Sequence, residues 1–291
     1  MKNLRNKDGK KFKLNLLCQT LGVSRNAFIN YMNKPPDGFN DFVVGKIRDI
    51  VIVTRKYGYR RVTHELKNQD IVVNHKVVLK LMRDNNLLCK ARKSFKSTTD
   101  SNHNLTKYQN LIRDIAPSAT NQIWAVDITY VNLNNGFIYL AVVLDLFSRK
   151  VIGWGISQYI DENLAVSALN MAIVTRGAGL GLIHHSDQGV QYASVAYTDV
   201  LKQNSIKISM SRRANPYDNA FLESFMKTIK QEEIYMNDYE NKQDAILNIG
   251  NFIEEVYNKK RLHSSLGYKS PEEFEFVFNS VSNVTSFSVP R

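Results

Sequence analysis

The pattern of apolar and polar positions divides the chain into a helical first part and a mixed second part. Over 122–132, apolar residues recur at every second position, which is the period of a β-strand. Asn134-Asn135-Gly136 predicts a hairpin turn into a second strand over 137–147. The elements predicted to follow are strand, helix, strand, helix, strand and two helices, over 150–157, 162–176, 182–186, 195–203, 207–211, from about 219, and over 244–257. This order is typical of an α/β fold with a mixed sheet of five strands flanked by helices.

The first pair of helices is predicted near the start of the chain. Apolar spacing over 14–21 indicates one helix, and a second is predicted over 25–32. Between them Gly22 permits a tight turn and Ser24 is placed to cap the second helix. Helix, turn and helix in this order predict a helix-turn-helix, the motif that places its second helix against DNA.

A second helical pair is predicted after the chain break at 35–38, over 59–67 and 74–84. Asn74 is the expected N-cap of the later helix, whose apolar residues are spaced for one buried face. Lysine and arginine side chains accompany both helices. Two basic helical pairs favour DNA binding, and an incidental helical bundle is the alternative because such patterns also arise by chance.

Charge is distributed unevenly along the chain. The net charge of +12 comes from residues 1–120, which hold 24 Lys and Arg against 9 Asp and Glu, a net of +15. Residues 121–291 hold 15 against 18, a net of −3. A basic first part suits a polyanion, because neutralising phosphates releases condensed counterions. A solvated basic tail is the alternative, and charge alone does not decide between them.

The composition excludes several protein classes. Hydrophobic residues make up 43% of the chain, an ordinary fraction for a globular protein. Its two cysteines are too few for a disulfide framework or a CxxC zinc site. No segment approaches the roughly eighteen uncharged residues of a membrane span, so we expect a cytoplasmic protein with no membrane partner.

Three carboxylates occupy positions that need an explanation. Asp127 lies within a strand among apolar residues, where an unpaired carboxylate is costly to bury. Asp187 directly follows a strand, at the end where α/β sheets form their sites. Glu223 shares a helix face with Lys227 and Lys230, beside an apolar stripe. Each acid also has an ordinary explanation, as a turn or capping aspartate or as part of a solvated helix pair.

Taken together, the three acids resemble the DDE pattern of polynucleotidyl transferases, with 35 residues between Asp187 and Glu223. The surrounding motifs resemble the second-reading-frame protein (OrfB) of bacterial insertion-sequence transposases of the IS-three family. These motifs are Trp124-Ala125-Val126-Asp127-Ile128-Thr129, His185-Ser186-Asp187-Gln188-Gly189, Asn215-Pro216-Tyr217-Asp218-Asn219, Glu223-Ser224-Phe225 and Tyr257-Asn258-Lys259-Lys260-Arg261-Leu262-His263. The resemblance extends back to Gly58-Tyr59-Arg60-Arg61 and so covers nearly the whole chain. Ala214 replaces a usual glycine and Val190 a usual small residue, which bears on loop mobility and on the level of activity.

The resemblance implies a ribonuclease H-like catalytic core, retroviral-integrase-like, preceded by a helical DNA-binding region. We expect a helix-turn-helix-like segment (1–50), a second helical DNA-binding module (51–90), a basic linker (91–120), the core with C-terminal helices (121–280) and a tail (281–291). Asp127, Asp187 and Glu223 are the expected catalytic residues and metal ligands. The expected DNA-binding residues are Lys227, Lys230, Arg212, Arg213, Arg25, Arg60, Arg61, Lys76, Arg261 and His263.

Phosphodiester chemistry by three carboxylates requires cations, and oxygen ligands suit Mg²⁺ in a two-metal site, with Mn²⁺ as substitute. His184 and His185 are expected to pack or line the site rather than bind this hard metal. The resemblance implies DNA cleavage that releases 3′-hydroxyl ends and the joining of these ends to target DNA. We expect the active form to be a dimer or larger assembly that associates with the nucleoid. It also suggests fusion to an upstream-frame protein by frameshifting. The alternatives are a nuclease without strand transfer and a DNA-binding regulator derived from a transposase.

Overall fold

A five-stranded mixed sheet forms the centre of the computed structural model, which describes residues 18–20, 22–32, 38–54, 56–89, 105–211 and 220–286. The strands run in the spatial order β3-β2-β1-β4-β5, with β1 to β3 antiparallel and β4 parallel to both β1 and β5. Their bounds are Ile123–Asn132 (β1), Phe137–Asp145 (β2), Val151–Ser157 (β3), Ile183–Ser186 (β4) and Lys207–Met210 (β5). The expected ribonuclease H-like arrangement is confirmed.

Ten α-helices lie in the described part of the chain. Their bounds are Arg25–Met32 (α1), Phe39–Thr54 (α2), Tyr59–Asn68 (α3), His75–Asp84 (α4), Glu162–Arg176 (α5), Val190–Ala193 (α6), Val195–Gln203 (α7), Ala220–Glu232 (α8), Lys242–Asn251 (α9) and Pro271–Ser286 (α10). A π-helix, Phe252–Tyr257, continues α9, and short 3₁₀ helices cover Ile234–Met236 and Ser264–Leu266. None of the described helices is long and apolar enough to cross a membrane.

Two apolar layers sandwich the sheet, because successive residues of β1 point to opposite faces. Ile123 and Ala125 belong to the layer that contains the buried stripe of α8 and the helices after it. Trp124 and Val126 belong to the layer formed with α5 and α7. Asp127, two residues beyond Ala125, therefore lies on the face that α8 covers.

Several local signals are confirmed. The side chain of Ser24 accepts a hydrogen bond from the backbone N–H of Ala27 at 3.1 Å. Asn74 accepts one from Lys76 at 2.9 Å, so it caps α4. Gly177 ends α5 with a φ of 70°, a conformation that glycine adopts without strain.

Other expectations are wrong in extent. The helix predicted over 244–257 begins at Lys242 and changes to a π-helix after Asn251. The tail expected over 281–291 is helical as far as Ser286. Helix α2 was not predicted, and the domain division expected after residue 50 runs through it. Its interior Gly45 and the β-branched run Val51-Ile52-Val53-Thr54 are poor helix formers, so packing rather than propensity stabilises it.

The helical module α2 to α4 is attached to the C-terminal part of the core. Leu262 is buried in the apolar cluster that holds the three helices together. The Tyr57 hydroxyl accepts a hydrogen bond from the backbone N–H of Leu262 at 2.7 Å and donates one to the carbonyl of Lys260 at 3.3 Å. The rings of His64 and Tyr268 stack with centroids 3.6 Å apart. The chain from 260 to 268 therefore forms the junction between the two parts.

The contact of β3 with α5 depends on Gly153. A Cβ atom at this position would lie 2.2 Å from the carbonyl oxygen of Ala168 and 2.7 Å from the backbone N of Ala172. We expect Gly153→Ala to lower the free energy of unfolding by about 3 kcal/mol, the upper end of overpacking costs, because the clashing atoms are backbone. Gly45→Ala is the control: its Cβ meets nothing within 4 Å in a helix, so a gain of about 0.5–1 kcal/mol is expected. Equal urea midpoints for the two variants would contradict this account.

Candidate active site

Asp127 lies in the middle of β1, and its side chain is half-buried. One carboxylate oxygen, Oδ1, accepts a hydrogen bond from the backbone N–H of Ile128 at 2.8 Å. The strand is flanked by β2 on one side and β4 on the other. A carboxylate is thus held rigidly at the centre of the sheet.

Asp187 directly follows Ser186, the last residue of β4. The parallel register pairs Ala125 of β1 with His185 of β4. Asp127 and Asp187 each lie two residues beyond this pair in the chain direction. Oδ1 of Asp187 accepts a hydrogen bond from the backbone N–H of Gly189 at 2.8 Å, which fixes the turn after the strand. The sheet itself brings these two aspartates side by side.

Glu223 lies in the first turn of α8, with its side chain exposed. The buried stripe Leu222, Phe225, Met226 and Ile229 packs α8 onto the sheet face that carries Asp127. Helix position therefore supplies the third acid to a site whose other two acids come from neighbouring strands.

The electrostatics of Asp127 show that these charges act on one place. Burial raises the pKa of Asp127 to about 7, and the neighbouring Asp187 and Glu223 also raise it. The backbone hydrogen bond from Ile128 and the nearby Lys230 ammonium act in the opposite direction. Lys230 lies over the ring of Tyr130, with Nζ 5.0 Å from the ring centroid. The three expected acids and one of the expected lysines are therefore within electrostatic range of one another.

Oxygen donors dominate this site, and three carboxylates beside one ammonium leave a net negative charge that an added cation would neutralise. Among the described residues, no group of three or more His, Cys, Asp or Glu side chains is placed to hold a metal ion by itself. The carboxylate set of Asp127, Asp187 and Glu223 nevertheless fits a hard divalent ion such as Mg²⁺, which prefers one or two carboxylates plus water and substrate oxygens.

Asp127→Asn is expected to stabilise the protein when divalent cations are absent. The pKa of about 7 lies above the ordinary value of 3.8, so the folded state holds the proton more tightly than the unfolded state. Stability contributed by that proton is lost as the pH rises through about 7. At pH 8 the free energy of unfolding of the variant should exceed that of the wild type by about 2 kcal/mol, allowing for partial exposure of the carboxylate. Urea unfolding in EDTA at pH 5 and pH 8 measures this, and a difference that does not grow with pH would contradict it.

Most of the residues expected to bind DNA are accessible in the described chain. Arg25, Arg60, Lys76 and Lys227 are exposed, and Arg61 and Lys230 are half-buried. Arg212, Arg213 and Ala214 lie outside the described residues. Whether the accessible cations bind DNA remains a prediction.

Arg261 and His263 differ from the expectation of exposed DNA ligands. Arg261 is buried, and its guanidinium donates to both carboxylate oxygens of Glu232 at 2.7 and 2.8 Å. The His263 ring is half-buried and lies edge-on to Tyr257. The structure therefore gives both side chains intramolecular partners at the junction between the helical module and the core.

The two histidines beside Asp187 are buried and hydrogen-bonded. Nε2 of His184 lies 2.9 Å from the Tyr197 hydroxyl, and Nδ1 of His185 lies 2.9 Å from Oγ of Ser209. Both are packed residues, as expected. Val190, one of the noted departures, is exposed at the start of α6.

Arg149 is a residue near the site that the sequence did not single out. It lies in the turn between β2 and β3, and its guanidinium carbon is 3.4 Å from the ring centroid of Phe221, two residues before Glu223. The two residues are 72 positions apart in the chain, so no local pattern connects them.

Comparison with protein families agrees with this architecture. A family described as an integrase core domain matches residues 117–216, and a second of the same description matches 204–271. A family described as an HTH-like domain matches residues 40–95. The fold and these matches define a polynucleotidyl transferase-type enzyme with an integrase core.

Curated relatives identify the family. The transposase of insertion sequence element IS904 from Lactococcus lactis subsp. lactis is 41% identical over 222 residues, covering 76% of this chain and 87% of that protein. Transposase InsF of IS3A from Escherichia coli is 35% identical, covering 91% and 94%. An IS600 31 kDa protein from Shigella sonnei is 36% identical, covering 91% and 100%. The chain belongs to this family of insertion-sequence transposases and is a DNA transposase of the IS3 type.

Solved structures similar to the chain include an intasome and an integrase catalytic core domain. A simian T-cell lymphotropic virus intasome in complex with the PP2A subunit B56 gamma is 18% identical with a TM-score of 0.47, covering 79% of this chain and 74% of that chain. The HTLV-2 integrase catalytic core domain in complex with magnesium is 18% identical with a TM-score of 0.41, covering 54% and 97%.

Proposed function

We propose that this transposase cleaves the ends of its insertion sequence to give 3′-hydroxyl groups and joins these ends to target DNA by transesterification. Asp127, Asp187 and Glu223 are the catalytic residues in this proposal. The observation that carries it is the convergence of the three carboxylates, since two of them raise the pKa of the third. Structural carboxylates are usually paired with cations or backbone donors instead of being grouped together.

The carboxylates of Asp127, Asp187 and Glu223 would hold Mg²⁺, or Mn²⁺ in its place, at two positions. When bound, such ions would supply charge stabilisation for an attacking oxygen and a leaving oxygen. The residues of the chain hold the phosphodiester and orient it toward the attacking oxygen. No enzyme nucleophile is required, because water attacks in cleavage and the released 3′-hydroxyl attacks in joining.

The helical parts of the chain deliver DNA to this centre in our proposal. The basic helices α3 and α4, the linker around 91–120 and the 1–50 segment contact duplex DNA at the element ends. Because two ends must be cut and joined together, the active form is a homodimer or larger assembly in the bacterial cytoplasm. Fusion to an upstream-frame protein would add a further DNA-binding segment.

A strand-transfer assay tests the proposed function. The substrate is a labelled duplex that carries a precut element end with a free 3′-hydroxyl, incubated with a supercoiled target plasmid and Mg²⁺. Labelled end covalently joined to the plasmid is the expected product. Hydrolysis without joining would identify a nuclease, and binding without either reaction would identify a regulator; both results would overturn the proposal.

Lys230→Ala is expected to weaken binding to the element end and to lower the slope of log K against log salt by about one unit. The reason is that Lys230 projects from the Glu223 face of α8, where a phosphate would lie. Fluorescence anisotropy at four salt concentrations measures the slope. Lys202→Ala removes an exposed ammonium that is paired with Asp199 on α7 and serves as the control. An unchanged slope for Lys230→Ala would identify it as a partner of Asp127 only.

A further inference from the structure

A pocket lies between the catalytic helix α8 and the junction of the helical module with the core. Its lining comes from four separate elements: α3, the β2–β3 turn, α8, and the segment 257–265. The polar lining side chains include Arg61, Arg149, Arg261, Ser224, Thr228 and Ser265. Guanidinium and hydroxyl groups together are the usual ligands of phosphate.

Arg149 carries a hydrogen-bond donor that has no acceptor in the described part of the chain. Its guanidinium stacks on the face of Phe221 at 3.4 Å, and Nη1 is buried without a hydrogen-bond partner among the described residues. Buried donors are nearly always paired because desolvation of an unpaired donor is costly. A ligand that accepts from Nη1 would remove this cost.

The pocket also has an excess of positive charge. Three arginines line it, and its lining includes no carboxylate within the described ranges. Arg61 and Arg261 share the single carboxylate of Glu232, which lies outside this pocket. Burial together with these three arginines lowers the pKa of His263 to about 2, so the histidine is neutral. Because Arg61 and Arg261 share Glu232, Arg149 is the lining cation without an ion pair in the described part of the chain. The pocket therefore favours an anion.

Its position relative to the three acids identifies the anion. On α8, Phe221, Ser224 and Thr228 form the face that lines the pocket. Glu223 and Lys227 lie on a face about 120° away, at 100° per residue on a helix about 10–12 Å across. A DNA strand that lies at the acids and crosses α8 would bring a neighbouring phosphate to the face of α8 that lines the pocket.

We propose that this pocket binds a backbone phosphate of the DNA strand that crosses α8, with Arg149 as its main ligand. The inference rests on the proposed function and adds a phosphate site outside the three acids and the two α8 lysines. Binding is independent of base sequence, because the lining presents only groups that contact phosphate and sugar. The competing role for Arg149 is to balance Asp145, a fully buried carboxylate that accepts backbone hydrogen bonds from Asn121, Phe147 and Ser148.

A negative charge added at the rim of the pocket tests the inference without removing any packed side chain. Ser265 is exposed at the rim, and Ser265→Glu and Ser265→Gln introduce side chains of equal size that differ in charge. Binding of the full chain to a fluorescein-labelled element-end duplex is measured by anisotropy in EDTA at several salt concentrations. We expect Ser265→Glu to bind about tenfold more weakly than Ser265→Gln, because a like charge near the phosphate opposes binding.

Arg149→Gln and Arg149→Lys provide the second arm. If Arg149 binds phosphate, Arg149→Gln lowers the salt slope by about one unit, and Arg149→Lys retains the slope. Binding by Ser265→Glu equal to that of Ser265→Gln would overturn the inference. So would an Arg149→Gln variant that melts at a lower temperature but binds with an unchanged slope, since this is the behaviour of a partner of Asp145.

The same preparations separate this inference from the proposed function. If the wild type cleaves DNA but the pocket substitutions leave DNA binding unchanged, only the phosphate site is refuted. Pocket-dependent binding by a wild type that neither cleaves nor joins DNA refutes the proposed reaction alone. If Arg149→Gln does not fold, the two Ser265 variants decide the question.

Discussion

Asp187→Asn is expected to abolish Mg²⁺-dependent strand cleavage while binding to the element end persists. The amide oxygen can still accept the hydrogen bond from Gly189, so the turn after β4 keeps its shape. The negative charge that would hold a cation beside Asp127 is lost. We expect cleavage to fall by at least about 100-fold, because changes in the outer shell of metal sites alone cost 10–100-fold.

Gel analysis of a labelled element-end duplex measures this cleavage, and anisotropy measures binding by the same purified variant. Asp199→Asn is the matched control, because it makes the same chemical change on the exposed surface of α7, where Asp199 pairs with Lys202. Full activity of the control is expected. Undiminished cleavage by Asp187→Asn would show that Asp187 is a structural turn aspartate, the ordinary explanation that its sequence position also allows.

Arg261→Met is expected to destabilise the protein by about 3–5 kcal/mol, the usual cost of removing one partner of a buried ion pair. The variant would leave the Glu232 carboxylate with only the more distant Arg61, whose Nη1 lies 3.8 Å from it. The junction between the helical module and the core would also lose the side chain that joins 261 to α8. Chemical denaturation followed by circular dichroism gives the change in unfolding free energy.

Arg60→Met is the control for this prediction, since Arg60 is exposed and forms no ion pair in the described chain, only a hydrogen bond and a ring contact with the neighbouring Tyr59. Its stability should change by less than about 0.5 kcal/mol. A stable Arg261→Met variant with weakened DNA binding would restore the first expectation, that Arg261 is a DNA ligand. A destabilised variant identifies it as the residue that fastens the helical module to the catalytic core.

The sequence predicted the elements whose causes are local. Period-two alternation located β1, the Asn134-Asn135-Gly136 turn located the hairpin, and Gly177 located the end of α5. These signals depend on side chains within a few residues of one another. The three proposed catalytic acids were singled out by their resemblance to the DDE pattern, since each acid taken alone also has an ordinary structural explanation.

The sequence did not predict the features that depend on contacts across the chain. Helix α2 has poor local propensity and is stabilised by burial of Val43, Ile47 and Ile50 against α3 and α4. The pairing of Arg261 with Glu232 and the stacking of Arg149 on Phe221 join residues that no spacing rule relates. As a result, Arg261 was predicted to bind DNA and its partner Glu232 was not foreseen, and Arg149 was not singled out.

In our proposal, Asp127, Asp187 and Glu223 form one divalent-cation site. Mn²⁺ binding to the full chain with an uncleaved element-end duplex tests it most directly. Binding is measured as the loss of the electron paramagnetic resonance signal of free Mn²⁺. Asp127→Asn, Asp187→Asn and Glu223→Gln are compared with the exposed control Glu240→Gln. We expect each of the three variants to lose the Mn²⁺ binding that the wild type and the control retain. Wild-type Mn²⁺ binding by any one of the three would contradict the assignment of that residue to a shared metal site.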